Sequence, residues 1–325
     1  MRPPVQLATA LFLTLCTIAS GQSSSKEPAS ARLRILGSVQ DGGLPHAACS
    51  CERCERARTD PTRKRHIASV ALITRDDTDQ RVYIVDATPD IREQLDMLRD
   101  VRDHPEGRVD RSPIDGVLLT HAHIGHYTGL AFLGFEAVHT RGVPVWCTLR
   151  MGAFLRSNGP WSQLVRIGNI EIEEVTPGEP WTIDGVQVEP LLVPHRDEYS
   201  DTVGFILRGE AATVLYIPDT EPWRKWAKPI GEVIDEEGID TLIVDATFYS
   251  PAELPGRLVS AIGHPLMIDT MDLLQDRVDA GTLTVLFTHL NHSNPALSPG
   301  SEALRDVESR GFHVVEEGGE IVLSK

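Results

Sequence analysis

The chain has 325 residues, 41% of them hydrophobic and 24% charged, close to globular averages. At roughly 100–200 residues per domain, this allows one large domain or two ordinary ones with a sizeable core, and it excludes a mainly disordered, collagen-like or polytopic membrane protein. A net charge of −16, from 31 basic and 47 acidic residues, argues against nucleic acid or an anionic membrane surface as the main partner. A small-molecule substrate is expected instead.

Residues 5–20 are nearly all apolar or small, with one charge before them at Arg2. Ala19-Ser20-Gly21 is a small-x-small cleavage pattern, and polar residues 22–25 follow. Residues 1–21 therefore read as a secretory signal peptide, too short for a span of about 20 apolar residues, and the protein is expected to be periplasmic or extracellular. Cys16 follows Leu15, where a lipid-anchoring site wants a small residue. Residues 22–31 read as a disordered linker and 32–325 as one domain. Short β-branched runs at 33–36, 69–73, 82–85, 116–120, 143–147, 186–193, 202–207, 213–217, 241–244, 284–287 and 314–315 predict strands. Helices are expected over 89–99, where Ile91, Leu95 and Leu98 share a face after Pro89, and over 222–234 and 251–262. Strands with intervening helices around one core give a layered α/β domain.

The strongest chemical signal is His121-Ala122-His123-Ile124-Gly125-His126, three of the 12 histidines within six residues. It directly follows the apolar run 117–119 and Thr120, which puts it on a loop at a strand end. Neutral imidazoles suit zinc, and such loops bring ligands together. His121 and His123 can grip one ion while His126 points to a neighbouring position.

A second cluster is Cys49-Ser50-Cys51-Glu52-Arg53-Cys54. Three thiolates at this spacing can wrap a structural zinc, with His264 of Gly263-His264-Pro265 as the expected fourth ligand (Cys3His). The alternative is disulfide pairing in an oxidising compartment, since Cys147 makes an even number after signal removal.

The segment from Thr120 to His126 resembles the HxHxDH signature of the metallo-β-lactamase superfamily. Further elements follow in that family's order: Val193-Pro194-His195, the run 215–219 ending in Asp219, and Thr288-His289-Leu290-Asn291-His292. The resemblance implies an αββα four-layer sandwich with the metal site on one edge of the sheets. It implies a first site of His121, His123 and His195, a bridging Asp219, and a second site of His126, Asp219 and His289. The departure is Gly125, which stands where the family has an acid. The expected cofactor is zinc, one or two ions, with iron as the alternative in the second position, because two histidines and one carboxylate are the ligand set of non-haem iron centres. His292 is a candidate substitute ligand there. Asp86 is expected to orient the metal loop, Trp223 and Trp226 either to line the pocket or to pack in the core, and the role of Tyr127 is left open. Segments 35–38 and 41–45, the CxCxxC and 85–92 narrow the resemblance to the pyrroloquinoline quinone biosynthesis protein B group.

Three functional classes follow. The first is a zinc hydrolase of a small ester, phosphodiester or amide, in which Asp219 orients the attacking water and His289 stabilises developing charge or positions the leaving group. The second is an iron-dependent oxygenase, as the quinone-pathway resemblance implies. The third is a non-catalytic metal-binding envelope protein, which Gly125 favours.

Overall fold

The computed structural model describes residues 30–76, 79–101, 112–256 and 258–325. The signal peptide and most of the linker lie outside the described residues. Ser30 and Ala31, assigned to the linker, instead open the first strand.

Two mixed sheets carry the fold. The first contains β1 (Ser30–Gly37), β2 (Ser69–Arg75), β3 (Gln80–Val85), β4 (Gly116–Leu118), β5 (Val143–Thr148) and β6 (Ile170–Val175). The second contains β7 (Trp181–Ile183), β8 (Val186–Leu192), β9 (Val203–Arg208), β10 (Thr213–Ile217), β11 (Thr241–Asp245), β12 (Thr284–Thr288) and β13 (His313–Val314). The last strand, β14 (Glu320–Ser324), returns to the first sheet, whose order is β14-β1-β2-β3-β4-β5-β6. The second runs β13-β12-β11-β10-β9-β8-β7. In each sheet one part is parallel: β3 to β6 in the first, β10 to β13 in the second.

Alternation along the strands sets the layers. Leu33, Leu72, Val85 and Leu118 of the first sheet meet Val188, Phe205, Leu207 and Tyr216 of the second in one buried cluster. The outer faces are covered by helices. On the first sheet, Ile73, Ile84 and Val117 pack with Ile91 of α2 (Ile91–Asp96) and Met151 of α4 (Leu149–Ser157). On the second, Leu215, Leu242 and Val285 pack with α6 (Ile230–Glu237), α7 (Met267–Asp279) and α8 (Glu302–Ser309). The remaining helices are α1 (Glu52–Thr59), α3 (Ile124–Tyr127) and α5 (Trp161–Arg166). This is the αββα sandwich.

Two helix expectations need correction. The run 222–234 is broken by Pro229, so its helix starts only at Ile230 and extends to Glu237, where Gly238 at φ 62° ends it. The run 251–262 forms two 3-10 turns, Pro251–Glu253 and Val259–Ala261, instead of one helix. Among the described residues, no helix is long and apolar enough to cross a membrane.

Candidate metal centre

Strand ends on one edge of the sandwich supply the site. β4 runs into His121, β8 into His195, β10 into Asp219 and β12 into His289. His121 Nε2 lies 2.9 Å from His123 Nδ1 and 3.5 Å from Asp219 Oδ2. His195 Nε2 lies 3.1 Å from both of those atoms, and His123 Nδ1 is 3.9 Å from Asp219 Oδ2. Ligand atoms about 2.0–2.1 Å from a tetrahedral zinc stand about 3.4 Å apart, so the spacing fits one ion among the four.

The other nitrogen of each ring is held by a fixed partner in most cases. His121 Nδ1 faces Thr120 Oγ1 at 2.9 Å, and Thr120 in turn donates to Asp86 Oδ2 at 2.8 Å. His123 Nε2 faces Glu198 Oε2 at 2.9 Å, and His126 Nδ1 donates to Asp86 Oδ2 at 2.7 Å. His289 Nδ1 faces Thr247 Oγ1 at 3.0 Å, whose hydroxyl donates to Asp245 Oδ1 at 2.7 Å. Each network fixes an N–H on the far nitrogen and turns the near nitrogen into the site, the orientation a metal ligand requires. Asp86 orients the loop as expected, since it also accepts from the Thr120 backbone N–H at 2.8 Å. It sits at φ 68° and His289 at φ 60°, a left-handed backbone that costs a non-glycine residue of order 1–3 kcal/mol and clusters at functional sites.

The electrostatics are those of a buried cage. Burial alone would push the Asp219 carboxyl up, but His195, His289 and His264 hold it well below the usual carboxylate range. Burial pushes the His121 imidazole well below its ordinary value. Burial opposes charge on His126 and His289 too; Asp86 and Asp41 together outweigh it at His126, and Asp219 leads the groups that raise His289 to about 9.

His126 and His289 form a neighbouring cluster with Asp41, a residue given no role from sequence. Its signal was an acid at the head of a Gly-Gly turn after the first strand. Three of the buried atoms that make no hydrogen bond among the described residues are Asp41 Oδ1, His126 Nε2 and His289 Nε2. Buried polar atoms are normally paired, so their mutual approach is that of a donor set for a cation.

The expectation that His264 completes the cysteine cluster is not met. Its Nδ1 lies 2.8 Å from Asp245 Oδ2 and 3.2 Å from Asp219 Oδ1, on the edge of the histidine site. The residue that joins Cys49, Cys51 and Cys54 is His292, with all four ligand atoms within 4.8 Å of one another. His292 is therefore drawn away from the second cluster. His264 follows the 3-10 turns at 251–253 and 259–261, whereas His292 sits only three residues beyond His289. All four described cysteines are free, and Cys147 is buried in β5 with burial pushing its thiol up to about 12. The backbone N–H of Cys51 donates to Cys49 Sγ at 3.4 Å and that of His46 to Cys54 Sγ at 3.3 Å; burial outweighs the latter contact and pushes the Cys54 thiol up to about 11. Trp223 and Trp226 pack against the helical layer, with indole N–H groups donating to Thr270 and Thr220. Tyr127 packs on Phe154 and Trp161.

A family model described as the beta-lactamase superfamily domain matches residues 81–295. The chain belongs to this superfamily. Members of its sequence neighbourhood include the coenzyme PQQ synthesis protein B of Bradyrhizobium diazoefficiens, 26% identical over 90% of this chain and 99% of its own. That of Methylobacterium radiotolerans is 28% identical over 88% and 98%. Among solved structures, zinc-bound PqqB from Methylobacterium extorquens superposes with a TM-score of 0.72 at 23% identity, covering 89% of this chain and 99% of that one. A diphosphatase from the PhnP family gives 0.60 at 22%, covering 90% and 96%. At these identities the structures establish the shared superfamily fold.

Proposed function

We propose that the chain is a secreted, metal-dependent hydrolase whose substrate is a small ester, phosphodiester or amide. The observation that carries this reading is the convergence of His121 Nε2, His123 Nδ1, His195 Nε2 and Asp219 Oδ2 to separations of 2.9–3.9 Å. Zinc held there would supply Lewis acidity and lower the pKa of water from 15.7 to roughly 7. Asp219, held on its far oxygen by His264, accepts a hydrogen bond from the attacking water and aims it. His289 Nε2, 4.0 Å from Asp219 Oδ2, is placed to meet negative charge developing on the substrate, directly or through a second ion. His264 keeps its proton between Asp219 and Asp245, because these carboxylates outweigh the effect of burial. A cleft of about 690 Å³, within the usual range for a small ligand, opens beside Asp41 and Ile124 on the side of the second cluster and is not lined by His121, His123, His195 or Asp219. A cavity of about 770 Å³ on Arg53, Arg56 and His292 borders the cysteine cluster and likewise touches none of them. The cysteine cluster with His292 is read as a structural zinc site.

The test is His123→Ala, assayed for bound metal and for ester and phosphodiester turnover. Loss of both is expected; unchanged values remove His123 from the site. The iron-dependent oxygenase is a second reading, favoured by the two-histidine, one-carboxylate make-up of the His126, His289 and Asp41 cluster. It requires iron in that cluster and oxygen consumption, whereas the hydrolase works anaerobically with zinc alone. Export is tested by the N-terminus of the mature protein, expected near residue 22.

A further inference from the structure

Position 125 has no side chain, and the structure shows what occupies the space. A Cβ built on Gly125 would lie 2.1 Å from Asp41 Oδ1, 2.6 Å from Asp41 Cγ and 3.0 Å from Asp41 Cα. Any residue larger than glycine would collide with a carboxylate that arrives from another part of the chain, the loop after β1. We infer that Asp41 is the carboxylate ligand of a second metal site, together with His126 and His289, and that it takes the place of an acid at position 125.

The geometry is specific. Asp41 Oδ1 lies 3.4 Å from His126 Nε2 and 3.5 Å from His289 Nε2, too long for good hydrogen bonds and close to the spacing of ligands around one ion. Both imidazoles already use Nδ1 elsewhere, on Asp86 and Thr247, so their free nitrogens can serve only what lies on the Asp41 side. Asp219 Oδ2, 4.0 Å from His289 Nε2, borders the same space and joins it to the first site.

The loop is built to deliver this carboxylate. The Gln40 backbone N–H donates to Leu290 O at 3.0 Å, and that of Leu290 donates to Ser38 O at 3.0 Å, which fixes Asp41 beside His289. Gly43 at φ 70° then turns the chain away from the site. A Cβ on Gly42 would lie 2.2 Å from the His46 ring, so a side chain there would have to displace that ring. A donor set of two imidazoles and carboxylate oxygens suits zinc, iron or manganese.

This inference rests on the metal-centre part of the proposed function and not on hydrolysis. Its test counts metal. The protein is loaded with zinc, freed of excess by gel filtration and analysed for metal per chain. A parallel cobalt sample reports the cysteine cluster through its thiolate absorption bands and the paired site through exchange coupling in electron paramagnetic resonance. The full chain is expected to hold two ions besides the one on the cysteines. Asp41→Asn, close in shape, should lose one ion and the coupling while the thiolate bands remain. The exchange Asp41→Gly with Gly125→Asp should regain both. The inference is overturned if the unaltered chain holds one ion besides that on the cysteines, if Asp41→Asn keeps the full count, or if the exchange variant stays one ion short. Should Asp41→Asn fail to fold, the exchange variant decides alone, its full count supporting the inference and its shortfall overturning it. Absence of hydrolysis on every ester and phosphodiester tried would leave these counts untouched.

Discussion

Asp86 is the residue on which the most site geometry depends. It is fully buried, accepts from the backbone and hydroxyl of Thr120, and orients His126. Asp86→Asn keeps the volume but replaces one acceptor oxygen with a donor, so the His126 tautomer is no longer specified. Loss of such a supporting partner weakens metal binding about 10–100-fold. Competition titration with a zinc chelator checks this, and unchanged affinity would contradict the assignment. His66 gives a residue-scale pH prediction away from the site. Its Nδ1 lies 2.8 Å from Glu317 Oε2, and that hydrogen bond raises the imidazole above its ordinary value of 6.5. A raised folded-state value means the pair stabilises fully below pH 6.5 and loses its contribution as pH climbs through the higher value. The stability gap between the protein and His66→Gln, measured by urea unfolding, should therefore shrink as pH rises from 6 to 9; a gap that widens would reverse the sign.

At the scale of elements, the cysteine cluster and the second site share their supports. Cys49, Cys51 and Cys54 lie on the loop and first turns of α1 that follow Asp41, while His292 follows His289 by three residues. Arg53 reinforces the link through His292 O and Ser298. Metal on the cysteines thus clamps the two segments that bring Asp41 and His289 together. Cys54→Ser should lower the melting temperature and also weaken metal at Asp41, His126 and His289, read as a lower metal count beyond the one ion lost directly; a loss of only that ion would uncouple the two. The same elements show what a sequence reveals. Buried strands such as β2 and β11 are continuous apolar runs and were legible. β6, Ile-Glu-Ile-Glu-Glu-Val, lies at a sheet edge and was missed because its glutamates interrupt the β-branched run, and β7 was missed because it is short. Helix α7 was also missed, although Met267, Thr270, Met271 and Leu274 make a plain one-face pattern. His121 and His123 were legible because they cluster just after an apolar strand, whereas His195 was assigned only through the family resemblance. Asp41 was given no role and His292 was a candidate for the second site only, because their partners come from segments far along the chain and the loop pairing of 38–40 with 290 brings them together.

For the whole molecule, the contact between the sheets sets stability and the opposed strand ends set chemistry. Tyr216 is buried between the sheets, and its hydroxyl makes no hydrogen bond among the described residues. An unpaired buried hydroxyl costs roughly 1–3 kcal/mol, so Tyr216→Phe should leave stability equal or higher by about 1 kcal/mol. A clear loss in thermal unfolding would reveal a partner for that oxygen. Phe205→Ala, at the same interface, should cost about 3–5 kcal/mol, since it removes a ring from a close-packed core. The superfamily fold accounts for the shared edge, but the chain fills that edge in its own way, with an acid from the first loop and a glycine in the histidine motif. Strand-end imidazoles and Asp219 enclose a cation at this edge. Crystals grown with zinc and measured for anomalous scattering at the zinc edge should show a peak about 2.0–2.1 Å from His121 Nε2, His123 Nδ1 and His195 Nε2. A peak on the cysteines with none among these histidines would contradict that enclosure.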